Sequence, residues 1–305
     1  RRRALLLCLF YIFLIFGRFF YLFTIIYFKS MILQMTIKTR NRLIIFFSIF
    51  SLILLLGISS LFVISLISNK FVPATEHTYT LFQNFFLTKF NFLTVVISIF
   101  VFLMYVFVSF LYINFEFEKT QSTEIIYFSL FLIGCLTESF RLFIPCLNLW
   151  NSYSQFIVLC SRVTLFGRIL VPFSLVFMSI CNTVEYRQDV ERNILILFIS
   201  AAIISTLLPL NSNNIVPLSY VEYGYGKFFT IVWVLLAFVT FVSLIRNDKI
   251  SNSKTKMPLG YVLFASGYML LNHTMNYVLL ALGTISIVLG TLIYLKELHK
   301  QYLWY

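Results

Sequence analysis

The chain has 305 residues, of which 60% are hydrophobic and 11% are charged. Soluble globular domains are about half apolar and about a quarter charged, so this composition, with a mean hydropathy of +0.94, excludes a soluble globular protein. The net charge of +12 would suggest nucleic acid as the partner of a soluble protein. In a membrane protein the excess reflects the Lys and Arg of cytoplasmic loops. We therefore expect the lipid bilayer, and no nucleic acid, as the partner of this chain.

Eight apolar blocks predict membrane-spanning helices, which need about 20 mostly apolar residues. The blocks lie at residues 43–67, 90–113, 125–145, 156–181, 193–209, 228–245, 259–274 and 276–295. The last two are separated by a short polar stretch, which we interpret as a tight hairpin, and Gly283 and Gly290 predict close helix packing there. We predict an all-α, polytopic membrane protein with about eight transmembrane helices, in which residues 35–305 form a single multi-pass domain.

Residues 1–34 fit this arrangement poorly. Residues 4–28 form a further apolar stretch, broken by Arg18, and the basic clusters at its two ends cannot both lie in the cytoplasm. Either translation of the native protein begins downstream, at Met31 or Met35, or this stretch is a ninth helix or an interfacial segment. We favour the downstream start.

The distribution of basic residues orients the helices. If the segment before residue 43 is cytoplasmic, only Lys70, Lys89 and Lys227 lie outside. Twelve Lys and Arg then lie on the cytoplasmic side: Lys38, Arg40, Arg42, Lys119, Arg187, Arg192, Arg246, Lys249, Lys254, Lys256, Lys296 and Lys300. The positive-inside rule therefore predicts two cytoplasmic termini, and we expect the cytoplasmic (inner) membrane of a bacterium.

Metal and enzyme chemistry have little support in the sequence. Five cysteines without a CxxC spacing predict neither a disulfide framework nor a thiolate metal site. The three histidines, at positions 77, 273 and 299, are far apart, and no Gly-rich phosphate loop is present. We therefore predict no catalytic residue, no metal and no cofactor.

Four ionisable residues lie inside the third and fourth predicted helices: Glu138, Arg141, Arg162 and Arg168. Each such residue costs about 2.5–3.5 kcal/mol at a helix centre and marks a functional candidate. Glu138 and Arg162 are equally far in sequence from the loop centre near residue 150, so we predict an ion pair between them. This ion pair would either fix the register of the two helices or form part of a ligand site. Arg141 shares a helix face with Glu138 and is close enough to the outer surface to extend to it.

Arg168 is the leading candidate for ligand binding. It lies about 9 Å deeper than Arg162, where the third helix offers no acid. Pro172, four residues later, removes a backbone donor and predicts a kink. Arg168 either binds the carbonyls freed near Pro172 or faces a polar cavity that opens outward.

Polar residues at the outer turn of the last hairpin are further candidates. Asn272, His273 and Asn276 either form a simple polar turn or line the same outer vestibule as Arg168, with His273 as a proton-sensitive group. The outer segment Tyr220–Gly226 is either an interfacial aromatic belt or a mobile lid.

Without residues 1–34, the order is one anchor helix, a short outer loop and seven helices. This order resembles the seven-helix sensor modules of bacterial signalling proteins, over about residues 40–300 and in topology alone. The resemblance implies a ligand received outside. Because the sequence stops at Tyr305 without an output domain, the resemblance also implies a separate membrane or cytoplasmic protein partner. No functional residue can be carried over.

The leading functional hypothesis is a multi-pass protein that binds a small anionic ligand from the outer side, as a sensor or as an accessory subunit. Arg162 and Arg168 would supply charge, and Glu138 would position one of them. The alternative is a transporter or permease component that uses the same arginines. An intramembrane enzyme ranks lowest.

Overall fold

The computed structural model describes residues 37–74, 90–118, 120, 122–150, 155–181, 190–250 and 257–303. These residues form eight helices and one two-stranded sheet. The helices are α1 (Ile37–Ile67), α2 (Phe92–Glu116), α3 (Glu124–Cys146), α4 (Gln155–Cys181), α5 (Val190–Leu207), α6 (Gly226–Ile250), α7 (Met257–Asn272) and α8 (Tyr277–Leu303). The antiparallel strands β1 (Leu210–Val216) and β2 (Tyr220–Tyr223) form a hairpin between α5 and α6.

This architecture confirms the predicted all-α polytopic class, and each of the eight apolar blocks coincides with a helix. Six helices, α1 to α5 and α8, are long and apolar enough to cross a membrane, which identifies a multi-pass membrane protein. α6 contains a shorter apolar section, Thr230–Val242, and α7 has 16 residues. The doubtful segment 1–34 lies outside the described residues. The same holds for five of the basic residues used to orient the helices: Lys89, Lys119, Arg187, Lys254 and Lys256.

Hydrogen bonds between segments distant in sequence define two ends of the bundle. At one end, Arg40 Nη2 donates to the carbonyl of Phe117 at 2.6 Å. At the same end, Tyr302 Oη of α8 donates to Glu124 Oε2, at the start of α3, at 2.7 Å. We call this the basic end. At the other end, the N–H of Asn91, before α2, donates to the carbonyl of Met275, between α7 and α8, at 2.9 Å. The β-hairpin belongs to this second end, which we call the hairpin end.

Glycines allow α7 and α8 to pack closely. A Cβ on Gly283 would lie 2.9 Å from Cγ of Leu271, and a Cβ on Gly290 would meet the backbone of Phe264. The close packing predicted at Gly283 and Gly290 is therefore confirmed. It explains how a short α7 is held beside the longer α8.

A second close contact, between α3 and α4, sets the position of the charged residues. α3 is the most enclosed of the six long helices, with 94% of its apolar window buried. A Cβ on Gly167 of α4 would overlap Oγ1 of Thr137 on α3. Glu138 follows Thr137 and Arg168 follows Gly167, so this contact brings an acid and a base to the same level.

Candidate functional site

A buried carboxylate binds two arginines near the hairpin end. Glu138 is 0% exposed. Its Oε1 accepts a hydrogen bond from Arg168 Nε at 2.9 Å, and its Oε2 accepts from Arg168 Nη2 and from Arg141 Nη1, each at 3.2 Å. Tyr268 Oη donates to Oε1 at 3.3 Å. Glu138, Arg141 and Arg168, here called the Glu138 cluster, thus hold two positive charges and one negative charge.

Neutral acceptors complete the cluster. Asn272 Oδ1 accepts from Arg168 Nη2 at 2.7 Å and from Arg141 Nη1 at 3.2 Å. The carbonyl of Leu218, in the turn of the β-hairpin, accepts from Nε and Nη2 of Arg141 at 2.9 and 2.6 Å. A guanidinium has five N–H groups. The acceptors in the described part of the chain use four of them on each arginine.

The β-hairpin covers these arginines with aromatic rings. The Cζ atom of Arg168 lies 4.1 Å from the ring centroid of Tyr220, and that of Arg141 lies 5.7 Å away. Tyr223 stacks on Tyr220 at 5.2 Å, and its Oη accepts a hydrogen bond from Arg168 Nη1. Burial raises the pKa of the Tyr223 phenol, so it stays protonated and neutral. Ring faces therefore contact the arginines without cancelling the charge of the cluster.

A cavity of about 690 Å³ opens beside the cluster at the hairpin end. Small-molecule sites typically enclose about 300–1,000 Å³. Arg168, which is 5% exposed, forms part of its wall, and so do Asn272 and His273. The remaining wall is rich in aromatic rings, including Tyr220 and Trp233. The lining also includes one carboxylate, Glu222, which is solvent-exposed and accepts a hydrogen bond from Asn214 Nδ2 at 2.6 Å. The cavity therefore presents one buried cation and one exposed carboxylate within an aromatic and polar lining.

The polar residues predicted at the turn between the last two helices differ in their placement. His273 lines the cavity and is solvent-accessible. Partial burial of its imidazole against the protein, followed by the charges of Arg168 and Arg141, lowers the pKa of His273 to about 4. Asn276 is buried, away from the cavity lining, and its Oδ1 has no hydrogen-bond partner among the described residues. Asn272 and His273 thus share a cavity with Arg168, whereas Asn276 does not line it.

The predicted pair between Glu138 and Arg162 is wrong. Arg162 Nη1 donates instead to the carbonyls of Ser205 and, at 2.6 Å, Leu208, at the end of α5. Arg162 and Arg168 are six residues apart, which places them about 120° apart around α4, so they face different neighbours. The segment Glu138–Leu142 is also 3₁₀. It rises about 2.0 Å per residue instead of 1.5 Å, which places Glu138 deeper than a count of residues predicts.

Two further expectations need correction. Arg168 does have an acid at its level, because Glu138 pairs with it. Arg141 does not extend to the outer surface. It is 1% exposed, since the hairpin turn lies over it and binds its guanidinium.

Sequence reasoning missed the hairpin itself. Leu218, Tyr220 and Tyr223 contact the arginines, whereas the sequence predicts an aromatic belt or a lid for the segment Tyr220–Gly226. The available signal was weak, because only Ile215–Val216 and Tyr220–Tyr223 are short runs rich in β-branched or aromatic residues on the two sides of a turn, and residues 211–214 are all Asn or Ser. Such short runs do not show that a hairpin forms or that it packs on charged residues.

Within the described ranges, no three His, Cys, Asp or Glu side chains are grouped so that they could hold a metal ion. No family model, no curated protein and no solved structure matches this chain.

Proposed function

We propose that this multi-pass membrane protein binds a small anionic ligand in the cavity at its hairpin end. The observation that carries the proposal is the position of Arg168, which is buried and lines the cavity. It shares its only carboxylate partner in the described structure, Glu138, with a second arginine. An uncompensated charge in a low-dielectric environment is costly, and an anion beside Arg168 would compensate it.

The other cavity groups suit a small anion with an apolar body. Asn272 and the neutral His273 offer hydrogen bonds, and the aromatic rings offer apolar contact. The acceptors in the described chain leave one N–H of Arg168 for the ligand. A charge-assisted hydrogen bond from a guanidinium is about twice as strong as a neutral one.

We propose further that the ligand arrives from the outer side, since among the described residues Lys38, Arg42 and Lys300 lie at the opposite end of the bundle. The hairpin joins α5 to α6 and contacts both arginines. A ligand that displaced the ring of Tyr220 would therefore move a segment connected to two helices. This connection favours a sensor or an accessory subunit that passes the binding event to a partner.

Binding of radiolabelled sulfate to the purified protein tests the proposal. Arg168→Gln removes the cavity cation, and Met269→Trp fills the cavity without changing the Glu138 cluster. We expect each to weaken binding at least about tenfold, equivalent to about 1.4 kcal/mol. Arg42→Gln removes a positive charge from an exposed position at the basic end and should leave sulfate affinity unchanged. If Met269→Trp folds and binds sulfate like the wild type, the cavity is not the site.

Two measurements test sidedness and transport. Tyr225 is 74% exposed and lines the cavity, so Tyr225→Cys in a cysteine-free background should react with a membrane-impermeant thiol reagent in intact cells. Arg42→Cys should react only after the cells are opened. Uptake of labelled sulfate by proteoliposomes, lost in Arg168→Gln, would show a permease component instead of a sensor.

A further inference from the structure

Arg162 faces a different surface of the bundle from the Glu138 cluster and has no role in the proposed anion cavity. It is half-buried, and Nη1 donates to the two carbonyls at the end of α5. Among the described residues, no carboxylate lies within 4.0 Å of it, and no acceptor binds Nε or Nη2. Arg162 therefore has several donors available inside a spanning helix and no carboxylate partner among the described residues.

A narrow crevice of about 190 Å³ lies beside Arg162, between α1, α3, α4 and α5. Its walls are formed mainly by aromatic and aliphatic side chains, including Phe47, Phe50, Leu54, Leu136, Phe166 and Phe198. Arg162 is the one charged residue in this lining. The crevice therefore combines a long apolar surface with a single cation.

The few hydroxyl groups in the crevice are already engaged. Thr137 donates to the carbonyl of Gly134, Ser205 to that of Ala202, and Thr206 to that of Ile203, at 2.8–2.9 Å. Each bond lies within its own helix. An occupant of the crevice consequently meets apolar atoms along its length and a guanidinium at one point.

The crevice runs along the bundle axis. Arg162 donates to the carbonyl of Ser205 on α5, so these two residues lie at the same level. Phe198, which also lines the crevice, is seven residues from Ser205 toward the basic end, or about 10 Å along α5. The lining therefore extends by about 10 Å from the level of Arg162 toward the basic end, which suits a section of an extended hydrocarbon chain.

We propose that this crevice binds one acyl chain of an anionic phospholipid, whose phosphate contacts Arg162. A guanidinium can bind a phosphate through two parallel hydrogen bonds, and no acceptor among the described residues binds Nε or Nη2 of Arg162. The bilayer supplies both the chain and the headgroup at high local concentration. This site lies on another face of α4 and does not depend on the proposed anion cavity.

Native mass spectrometry of the purified protein tests the site with phosphatidylglycerol and phosphatidylcholine of identical acyl chains. The wild type should retain one phosphatidylglycerol about tenfold more often than phosphatidylcholine. Arg162→Gln should reduce this preference to about equal retention, while the exposed control Arg42→Gln keeps it. Ala202→Phe fills the crevice and keeps Arg162, so it should lose the retained phosphatidylglycerol.

Three results would overturn the proposal. The first is a wild-type protein that retains no phosphatidylglycerol, and the second is a folded Ala202→Phe variant that retains it like the wild type. The third is inorganic phosphate that protects Arg162 from an arginine-modifying reagent as well as phosphatidylglycerol does, because the site would then recognise a free anion. If Arg162→Gln fails to fold, Ala202→Phe still decides the question.

Discussion

Replacing Glu138 by Gln should destabilise the protein and at the same time strengthen anion binding. The substitution keeps the size of the side chain and one acceptor oxygen, but it removes the only carboxylate that the described structure places beside Arg141 and Arg168. The net charge of the cluster then rises from +1 to +2. An amide NH₂ also comes to face an arginine donor.

The size of the effect follows from the burial of these groups. Glu138 is 0% exposed and contacts guanidinium nitrogens at 2.9 and 3.2 Å. Removal of one partner from a buried ion pair costs about 3–5 kcal/mol, because a charge is left uncompensated. The exposed pair between Glu297 and Lys300, at 2.8 Å with the Lys300 side chain 52% exposed, should be worth at most about 1 kcal/mol. Glu297→Gln is therefore a matched control.

The free energy of unfolding can be measured by titration with sodium dodecyl sulfate in mild detergent, monitored by circular dichroism. Glu138→Gln should lose several times more stability than Glu297→Gln, and the folded fraction should bind sulfate more tightly than the wild type. The double variant Glu138→Gln with Arg141→Gln returns the cluster to +1. It should be more stable than the sum of the single effects predicts, by about 0.5–3 kcal/mol.

Equal stability losses in Glu138→Gln and Glu297→Gln would refute this reasoning, since they would show that the carboxylate does not compensate the arginines. If the losses of unfolding free energy in Glu138→Gln and Arg141→Gln simply add in the double variant, Arg141 does not interact with Glu138 as the cluster requires. Weaker sulfate binding in a folded Glu138→Gln protein would remove the electrostatic basis of the proposed function.

Two further substitutions test the helix contact and the pH dependence. In the same titration, Gly167→Ala should lower the free energy of unfolding by about 1–3 kcal/mol, because its Cβ would overlap Oγ1 of Thr137. Gly57→Ala is the control and should not lower it, since no atom lies within 4 Å of the added Cβ. Equal effects of the two substitutions would contradict the close contact between α3 and α4. Because the pKa of His273 is lowered to about 4, sulfate affinity should be constant from pH 8 to 6 and rise only as pH falls toward 4, and His273→Gln should abolish that rise. The free energy of unfolding should fall as the pH drops from about 6.5 to about 4. In this range the imidazole of the unfolded chain, with a pKa of about 6.5, binds a proton that the imidazole of the folded protein does not yet bind.

The helices were predictable because the bilayer imposes a simple requirement. A spanning segment must be apolar and must satisfy its own backbone hydrogen bonds, so an apolar block such as residues 90–113 indicates the helix Phe92–Glu116 directly. Close packing at Gly283 and Gly290 was likewise predictable, since only small residues allow helix backbones to approach. These features depend on local composition.

The pairing of the charged residues was not predictable in the same way. Glu138 pairs with Arg168 because of a 3₁₀ segment and the rotation of α4, and neither is visible in a count of residues. The contacts of Arg141 depend on a hairpin that begins 69 residues later in the chain, at Leu210. Side-chain partners across such distances are set by tertiary packing, which one sequence does not specify.

The charge of the Glu138 cluster suggests that its two arginines have different roles. Arg141 is enclosed and donates twice to the carbonyl of Leu218, so it holds the hairpin on the bundle. Arg168 lines the cavity beneath the ring of Tyr220.

A cluster that served packing alone would be less costly with equal numbers of acids and bases. A second carboxylate in place of the tyrosine faces would stabilise the arginines and cancel the attraction for an anion. The one carboxylate among the described residues that line the cavity, Glu222, is solvent-exposed and bound to Asn214 instead of to an arginine. Ring faces at 4.1 and 5.7 Å contribute roughly 0.5–2 kcal/mol each and place no negative charge against the arginines, which is the property that an anion site at Arg168 requires.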